Sequence, residues 1–315
     1  MKRYINYLLI LSFPFMSCTA YAQQQRLESA PVVNPEIPAK VEFAGKEVKL
    51  DRPDLWERYD RELTSMVYTH GNTLLTIKRA NRYFPVIMPI LKANGVPTDL
   101  AYLACIESYL NPRAYSPAKA AGFWQFIPSA GKEYGLEIND YVDERYNLEK
   151  ATAAAARYLK SSYNRFGNWE SAAASYNTGV ARVSRELEAQ QATSALDLYL
   201  VEETSRYMFR LLAMKEIMEH PAKYGFNLTT EQLYQPLEYK TVTVDYPVED
   251  WPTWAQEQGI NYLILRDNNP WIRAKSLPNK TGKAYKVLIP TKASLQRTTD
   301  PSKLKVFDHS WINER

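Results

Sequence analysis

Glu107 is a lone carboxylate in an otherwise apolar helical stripe. Residues 98–110 read as a helix, opened by Pro97 and capped by Thr98. Leu100, Leu103, Ala104 and Glu107 then fall at i, i+3, i+4 and i+7, which puts the carboxylate on the face that points inward. Burial disfavours the ionised form, so a carboxyl there can hold a proton near neutral pH. A general acid for glycosidic bond cleavage needs that property. The same placement also suits a structural glutamate paired with Arg79, Arg82 or Arg113, and this helix alone leaves both open.

A dense polar and aromatic run follows. Glu107-Ser108-Tyr109-Leu110-Asn111-Pro112 leads to Ser116, and then to Ala121-Gly122-Phe123-Trp124-Gln125-Phe126-Ile127-Pro128. Ala174-Ser175-Tyr176-Asn177-Thr178-Gly179 and Glu203-Thr204-Ser205-Arg206-Tyr207 come later. Singly these admit plain readings. Trp124, Phe126 and Ile127 suit a core, Ser116 a turn before Pro117, and Tyr176 and Asn177 a helix end before Gly179. In this order, over roughly residues 75–226, they resemble the catalytic domain of lytic transglycosylases. These are lysozyme-like enzymes acting on peptidoglycan, and the motifs are most similar to the membrane-bound lytic murein transglycosylase D family.

The resemblance implies a mechanism with one carboxylate and no cofactor. Hydrolytic glycosidases usually use two, one as acid and one as nucleophile or base. Here Glu107 would protonate the oxygen leaving C1 of N-acetylmuramic acid. It would then take the proton of that sugar's 6-hydroxyl, which closes a 1,6-anhydro ring. An intramolecular attack of this kind can reach effective molarities of roughly 10⁵–10⁸ M. The resemblance gives Ser116, nine positions after Glu107, a hydroxyl bonded to substrate. It gives Gln125 an amide in the cleft, and Phe123 and Trp124 its wall, with Trp124 where many relatives carry methionine. Tyr176 and Asn177 would orient the acid and the acetamido group, and Tyr207 would face the acid. The alternatives are a lysozyme-type hydrolase, with Asp140 or Asp143 activating water, and a non-catalytic peptidoglycan-binding protein. Asp140, Asp143 and Glu144 also read as a structural acidic cluster with Arg145 as partner.

The positioning elements are mainly helical. Residues 23–50 are polar and proline-bearing and read as a linker. Helical patterning starts near Asp54, and the resemblance implies a lysozyme-like α-helical domain over 51–227. Pro85 and Pro89 should break or kink one helix before Gly95 ends it. Asn147 to Phe166 is the clearest helix, with Gly167 beyond its end. Asn168 can cap the next, and Glu203 to His220 is stopped by Pro221. Beyond Leu228 the pattern becomes strand (Thr241 to Val244), helix (Asp250 to Gly259), helix (Asn261 to Asn269) and strand (Tyr285 to Ile289). This small α+β unit, residues 236–292, resembles a divergent LysM (βααβ) module. Pro247-Val248-Glu249-Asp250 replaces the usual glycine-rich approach. Trp251, Trp254 and Trp271 are its candidates for sugar contact, or for its core. Residues 293–315 read as a tail.

Composition narrows the partners. The 315 residues include 23 tyrosines and 7 tryptophans, whose faces suit sugar rings. Lys2, Arg3, the apolar stretch Tyr4 to Phe15 and Ala20-Tyr21-Ala22 read as an export signal over 1–22, too short to span a bilayer. Cys18 after Ser17 offers a competing lipidation site, the only route to membrane association. Losing Lys2 and Arg3 lowers the formal charge from +4 to +2, which is no nucleic-acid-binding balance. Cleavage after Ala22 leaves Cys105 as the sole cysteine, hence no internal disulfide. His70, His220 and His309 have no metal-site spacing. The expectation is an exported enzyme of the bacterial periplasm or envelope whose partner is the peptidoglycan glycan strand.

Overall fold

The computed structural model describes residues 33–313, so the expected export signal and Cys18 lie outside the described residues. The unit described below runs from Pro35 onward.

Residues 40–49 are not linker. Strands β1 (Lys40–Phe43) and β2 (Lys46–Lys49) pair antiparallel about a two-residue turn, Ala44-Gly45, in which both φ angles are positive. That turn matches the twist of a tight hairpin. Val41, Phe43 and Val48 enter the main core. The alternation is only four residues long on each strand, and Ala44-Gly45 was the one signal of it.

The first long helix, α1 (Pro53–Tyr68), buries Leu55, Tyr59, Leu63 and Val67 at helical spacing against the core. Helix α2 (His70–Ala93) runs through Pro85 and Pro89 rather than stopping at them. Both rings are exposed and four residues apart on one outer face, so they displace no core side chain. A 3₁₀ turn (Thr98–Ala101) then leads into the short α3 (Tyr102–Ser108), which carries Glu107. The expected single helix over 98–110 is thus two pieces, and Thr98 makes no capping bond.

After α4 (Pro128–Glu133) comes α5 (Leu148–Phe166). The Asn147 side chain accepts from Lys150 N at its start, and Gly167 closes it at φ 72°. Fully buried Ala151, Ala154 and Ala155 let α2 and α6 (Trp169–Thr178) approach closely. Asn168 caps α6 through Ser171 N. Helix α7 (Val180–Ala189) follows, and α8 (Glu202–Glu219) lies across α1, α3 and α6.

The C-terminal unit has the expected order: β3 (Tyr239–Val244), α9 (Trp251–Glu257), α10 (Tyr262–Asn268) and β4 (Tyr285–Pro290), with β3 and β4 antiparallel. Asp250 and Asn261 cap its helices. It is no bead on a string. Its core of Val244, Trp251, Leu265 and Val287 also takes in Ala121, Val142 and Tyr146 from the preceding domain. Asp143 N donates to Trp271 O at 2.9 Å and Arg273 N to Tyr141 O at 2.8 Å. Lys283 Nζ reaches Glu137 at 2.5 Å, and the Tyr285 hydroxyl donates to the same carboxylate. Trp251, Trp254 and Trp271 are all buried, so they fill this core rather than offer faces to sugar.

The expected tail also folds back. Trp311 is 2 % exposed within the main core and donates from Nε1 to Met218 O at 2.6 Å. Phe307 N donates to the buried Asn81 side chain, whose amide donates to Lys305 O. The expected mainly α class with a small α+β module stands.

Candidate active site

Helix α3 is short because its exit is forced. Tyr109 and Leu110 both take left-handed backbone, at φ 52° and 53°, which is costly for residues with side chains. Tyr109 N and Leu110 N bond back to Cys105 O and Ala104 O. Two arginines hold the end: Arg79 donates to Tyr109 O at 3.0 Å and Arg210 to Ile106 O at 3.2 Å. Ser108 Oγ bonds Phe123 O at 2.9 Å, fastening α3 to the strap of residues 113–126.

The strap is itself folded tightly. Tyr115 bridges Ala121, which bridges Phe126. Gly122, at φ 75°, lies so close to the Arg145 carbonyl that a Cβ would sit 2.1 Å from its oxygen; only glycine fits. Gln125 is a further left-handed residue, at φ 47°, and its Nε2 donates to Gly122 O at 2.8 Å. Ser116 Oγ accepts from Ala120 N at 3.1 Å, so it does serve the turn while keeping partial exposure.

Glu107 lines the open side of α3, with partial solvent access and protein around its carboxyl. Its Oε1 accepts from the Tyr207 hydroxyl at 2.7 Å. Burial is the largest influence on this carboxyl and raises its proton affinity above the ordinary range. The Tyr207 bond and the positive Arg210 oppose that, and Glu203 adds to it. Tyr176, at the end of α6, donates to Trp124 O at 2.8 Å. Burial, then the negative field of Glu107, keeps Tyr176 and Tyr207 firmly protonated, so both are donors. None of Arg79, Arg82 and Arg113 pairs with Glu107: the first two bond main-chain carbonyls and the third pairs with Asp267.

The structure therefore joins Glu107 directly to Tyr207 and, through the strap, links Tyr176, Ser116 and Gln125 to the same region. Asn177 is exposed where α6 ends. Phe123 and Trp124 do not form the cleft wall expected of them. Trp124 is fully buried and donates to Thr152 Oγ1 at 3.0 Å, while Phe123 packs edge-on against Tyr83. Of the three residues that also suited a core, Trp124 and Phe126 are buried and Ile127 is 44 % exposed. Asp143 is locked in a buried bidentate pair with Arg145, as the structural reading of that cluster expected. Glu203 and Arg210 are additions. They sit four residues before and three after Tyr207, on the α8 face that Tyr207 defines, and that spacing was their signal.

Two domain families account for this architecture. Residues 85–198 match the transglycosylase SLT domain, and residues 240–293 match the soluble lytic transglycosylase C-terminal LysM-like domain, so the chain joins these two domains. It is 31% identical over 258 residues to the membrane-bound lytic murein transglycosylase D of Escherichia coli (strain K12), covering 79% of this chain and 55% of that one. It is 27% identical over 191 residues to the membrane-bound lytic murein transglycosylase C of Haemophilus ducreyi, covering 53% and 50%. The chain spans about half the length of these curated relatives. Among solved structures, the 70 kDa soluble lytic transglycosylase of Escherichia coli aligns at 19% identity and a TM-score of 0.39, over 52% of this chain and 31% of that one. Among the described residues, no helix is long and apolar enough to cross a membrane.

Proposed function

We propose that this chain is a lytic transglycosylase that cleaves the β-1,4 bond between N-acetylmuramic acid and N-acetylglucosamine in peptidoglycan of the cell envelope. The observation that carries this reading is Glu107. It is a carboxyl raised in proton affinity by burial, held by Tyr207, inside an SLT domain.

Protonated Glu107 gives its proton to the bridging oxygen as the C1–O bond breaks. The resulting carboxylate takes the proton of the 6-hydroxyl as that oxygen bonds C1. Glu107 ends as it began, no water is consumed, and the product carries a 1,6-anhydro ring. Tyr207 steadies the ionised state between the two transfers. Ser116, Gln125 and Asn177 contact the sugar, with Asn177 nearest the acetamido group. Tyr176 supports the acid from the Trp124 side, and Phe123 and Trp124 act from beneath, by holding the strap.

Glu107→Gln tests the assignment, because an amide keeps the shape but cannot cycle a proton. General acid–base catalysis contributes roughly 10²–10⁴-fold, and a loss of at least that order is expected on purified sacculi. Turnover within a few-fold of the parent would put the acid elsewhere.

A hydrolytic reading needs a second carboxylate, and the one whose charge reaches Glu107 is the exposed Glu203. Asp143 has both oxygens taken by Arg145. Glu203→Gln should therefore leave anhydro products unchanged; a switch in product, or loss of cleavage comparable to Glu107→Gln, would favour hydrolysis.

A further inference from the structure

A cleft of about 850 Å³ opens where the SLT domain meets the LysM-like module. One wall is the strap at Arg113 and Tyr115, and the floor is the 143–146 turn. The other wall is α10 with the loop after it, from Tyr262 to Arg273. The strap that forms this wall also carries residues of the proposed glycan site. Tyr115 precedes Ser116, and Ala114 O is an acceptor for the Gln125 amide at 3.4 Å.

Four arginines line it against one acid. Arg145 and Asp143 satisfy each other, and the Arg145 donor Nη1 goes to Lys119 O and Phe126 O. Arg113 pairs with Asp267 at the exposed rim. Among the described residues, Arg266 and Arg273 have no carboxylate partner within ion-pair distance. Each lies against a tyrosine: Arg273 stacks 4.4 Å over Tyr146, and Arg266 bonds the Tyr262 hydroxyl at 2.6 Å. Arg266 Nε is buried without any partner. Two flat guanidinium forks held by tyrosine faces are suited to carboxylates.

The geometry points to a composite subsite, shared by both domains, for the carboxylates of the peptide carried by the muramyl sugar. This inference rests on the glycan-cleaving reading and deepens it. The module contributes arginines to substrate selection, not buried tryptophan faces. A glycan lying along Ser116 and Gln125 projects its lactyl-linked peptide toward Tyr115, and the free carboxylates of that peptide meet Arg266 and Arg273.

The test uses the full chain carrying Glu107→Gln, titrated calorimetrically with three glycans of equal length. They are muropeptide strands, the same strands with peptides removed, and neutral chitin oligomers. Peptide-bearing strands should bind about tenfold more tightly than stripped ones, the factor of one net charge-assisted pair. Adding Arg266→Gln and Arg273→Gln should erase that preference, with chitin-oligomer affinity as the control for folding. If that variant does not fold, the preference of the parent should shrink several-fold between about 50 and 300 mM salt, as screening requires. Equal affinity for peptide-bearing and stripped strands, a preference that survives the double substitution, or one indifferent to salt overturns the subsite alone. Absence of binding to all three glycans overturns the glycan-cleaving reading with it.

Discussion

The Tyr207 hydroxyl donates to Glu107 Oε1 at 2.7 Å across 100 residues of sequence, joining α8 to α3. Tyr207 is buried, so this bond is shielded from water and fixes where the proton of the acid can sit. The bond also favours the ionised carboxylate, against the effect of burial.

Removing that hydroxyl therefore has a signed consequence. In Tyr207→Phe the proton affinity of Glu107 rises further, and the alkaline limb of the pH–rate profile, where the acid loses its proton, moves to higher pH. The maximal rate should fall by about 10- to 100-fold, the worth of one hydrogen bond to a charged group. A pH profile superimposable on that of the parent would detach Tyr207 from the acid.

The same carboxyl makes stability depend on pH. The folded proton affinity of Glu107 lies above its unfolded value, so the folded state binds more protons in between. Its contribution is fully present below the unfolded pKa and is lost as pH rises through the folded one. Glu107→Gln, neutral throughout, should melt above the parent at pH 7 and lose that advantage as pH falls below about 4, the ordinary carboxyl range. Calorimetric scans across this range decide it; a variant less stable than the parent at pH 7 contradicts it.

Asp143 should behave as a structural residue. Asp143→Asn leaves Arg145 buried and short of its partner, and breaking a buried pair in this way costs about 3–5 kcal/mol. A lower melting temperature with unchanged cleavage products is expected. A stable protein that no longer cleaves would give Asp143 a chemical part.

Trp311 tests the folded-back C-terminus. Trp311→Ala empties a core position and removes the bond to Met218 O, at a cost of about 3–5 kcal/mol. Chemical denaturation should register it. A change within about 0.5 kcal/mol, usual for surface positions, would return residues 293–315 to the status of a tail.

Features decided locally were legible in the sequence. Asn168 caps the helix that follows, as expected, and Asn147, Asp250 and Asn261, expected as helix starts, turn out to be caps too, because the capping bond spans only three residues. The βααβ order was read for the same reason. Features decided by distant packing were not. Nothing near Trp124 tells a cleft wall from a core plug; its place follows from Thr152 on α5. Helix α2 runs unbroken through Pro85 and Pro89 because the packing of Phe84, Ile87 and Leu91 in the core offsets their backbone cost, a property of the assembled fold. The tryptophans of the C-terminal unit suited sugar contact and core alike in sequence, and their packing, Trp251 on Trp254 and Trp271 on Tyr285, puts them in the core of that unit. Val142 and Tyr146, far upstream, complete its core. At the site, the motif order led to Glu107 and Tyr207, whereas the contact between them required the crossing of α3 by α8.

The chemistry of the cut end bears most directly on the central claim. Purified sacculi digested by the full chain in ¹⁸O-labelled water, with the released muropeptides weighed by mass spectrometry, report whether O6 or water attacked C1. The predicted result is muropeptides ending in 1,6-anhydro-N-acetylmuramic acid, one water lighter than reducing ends and free of label, and none above background with Glu107→Gln. Reducing ends carrying the label would contradict the account.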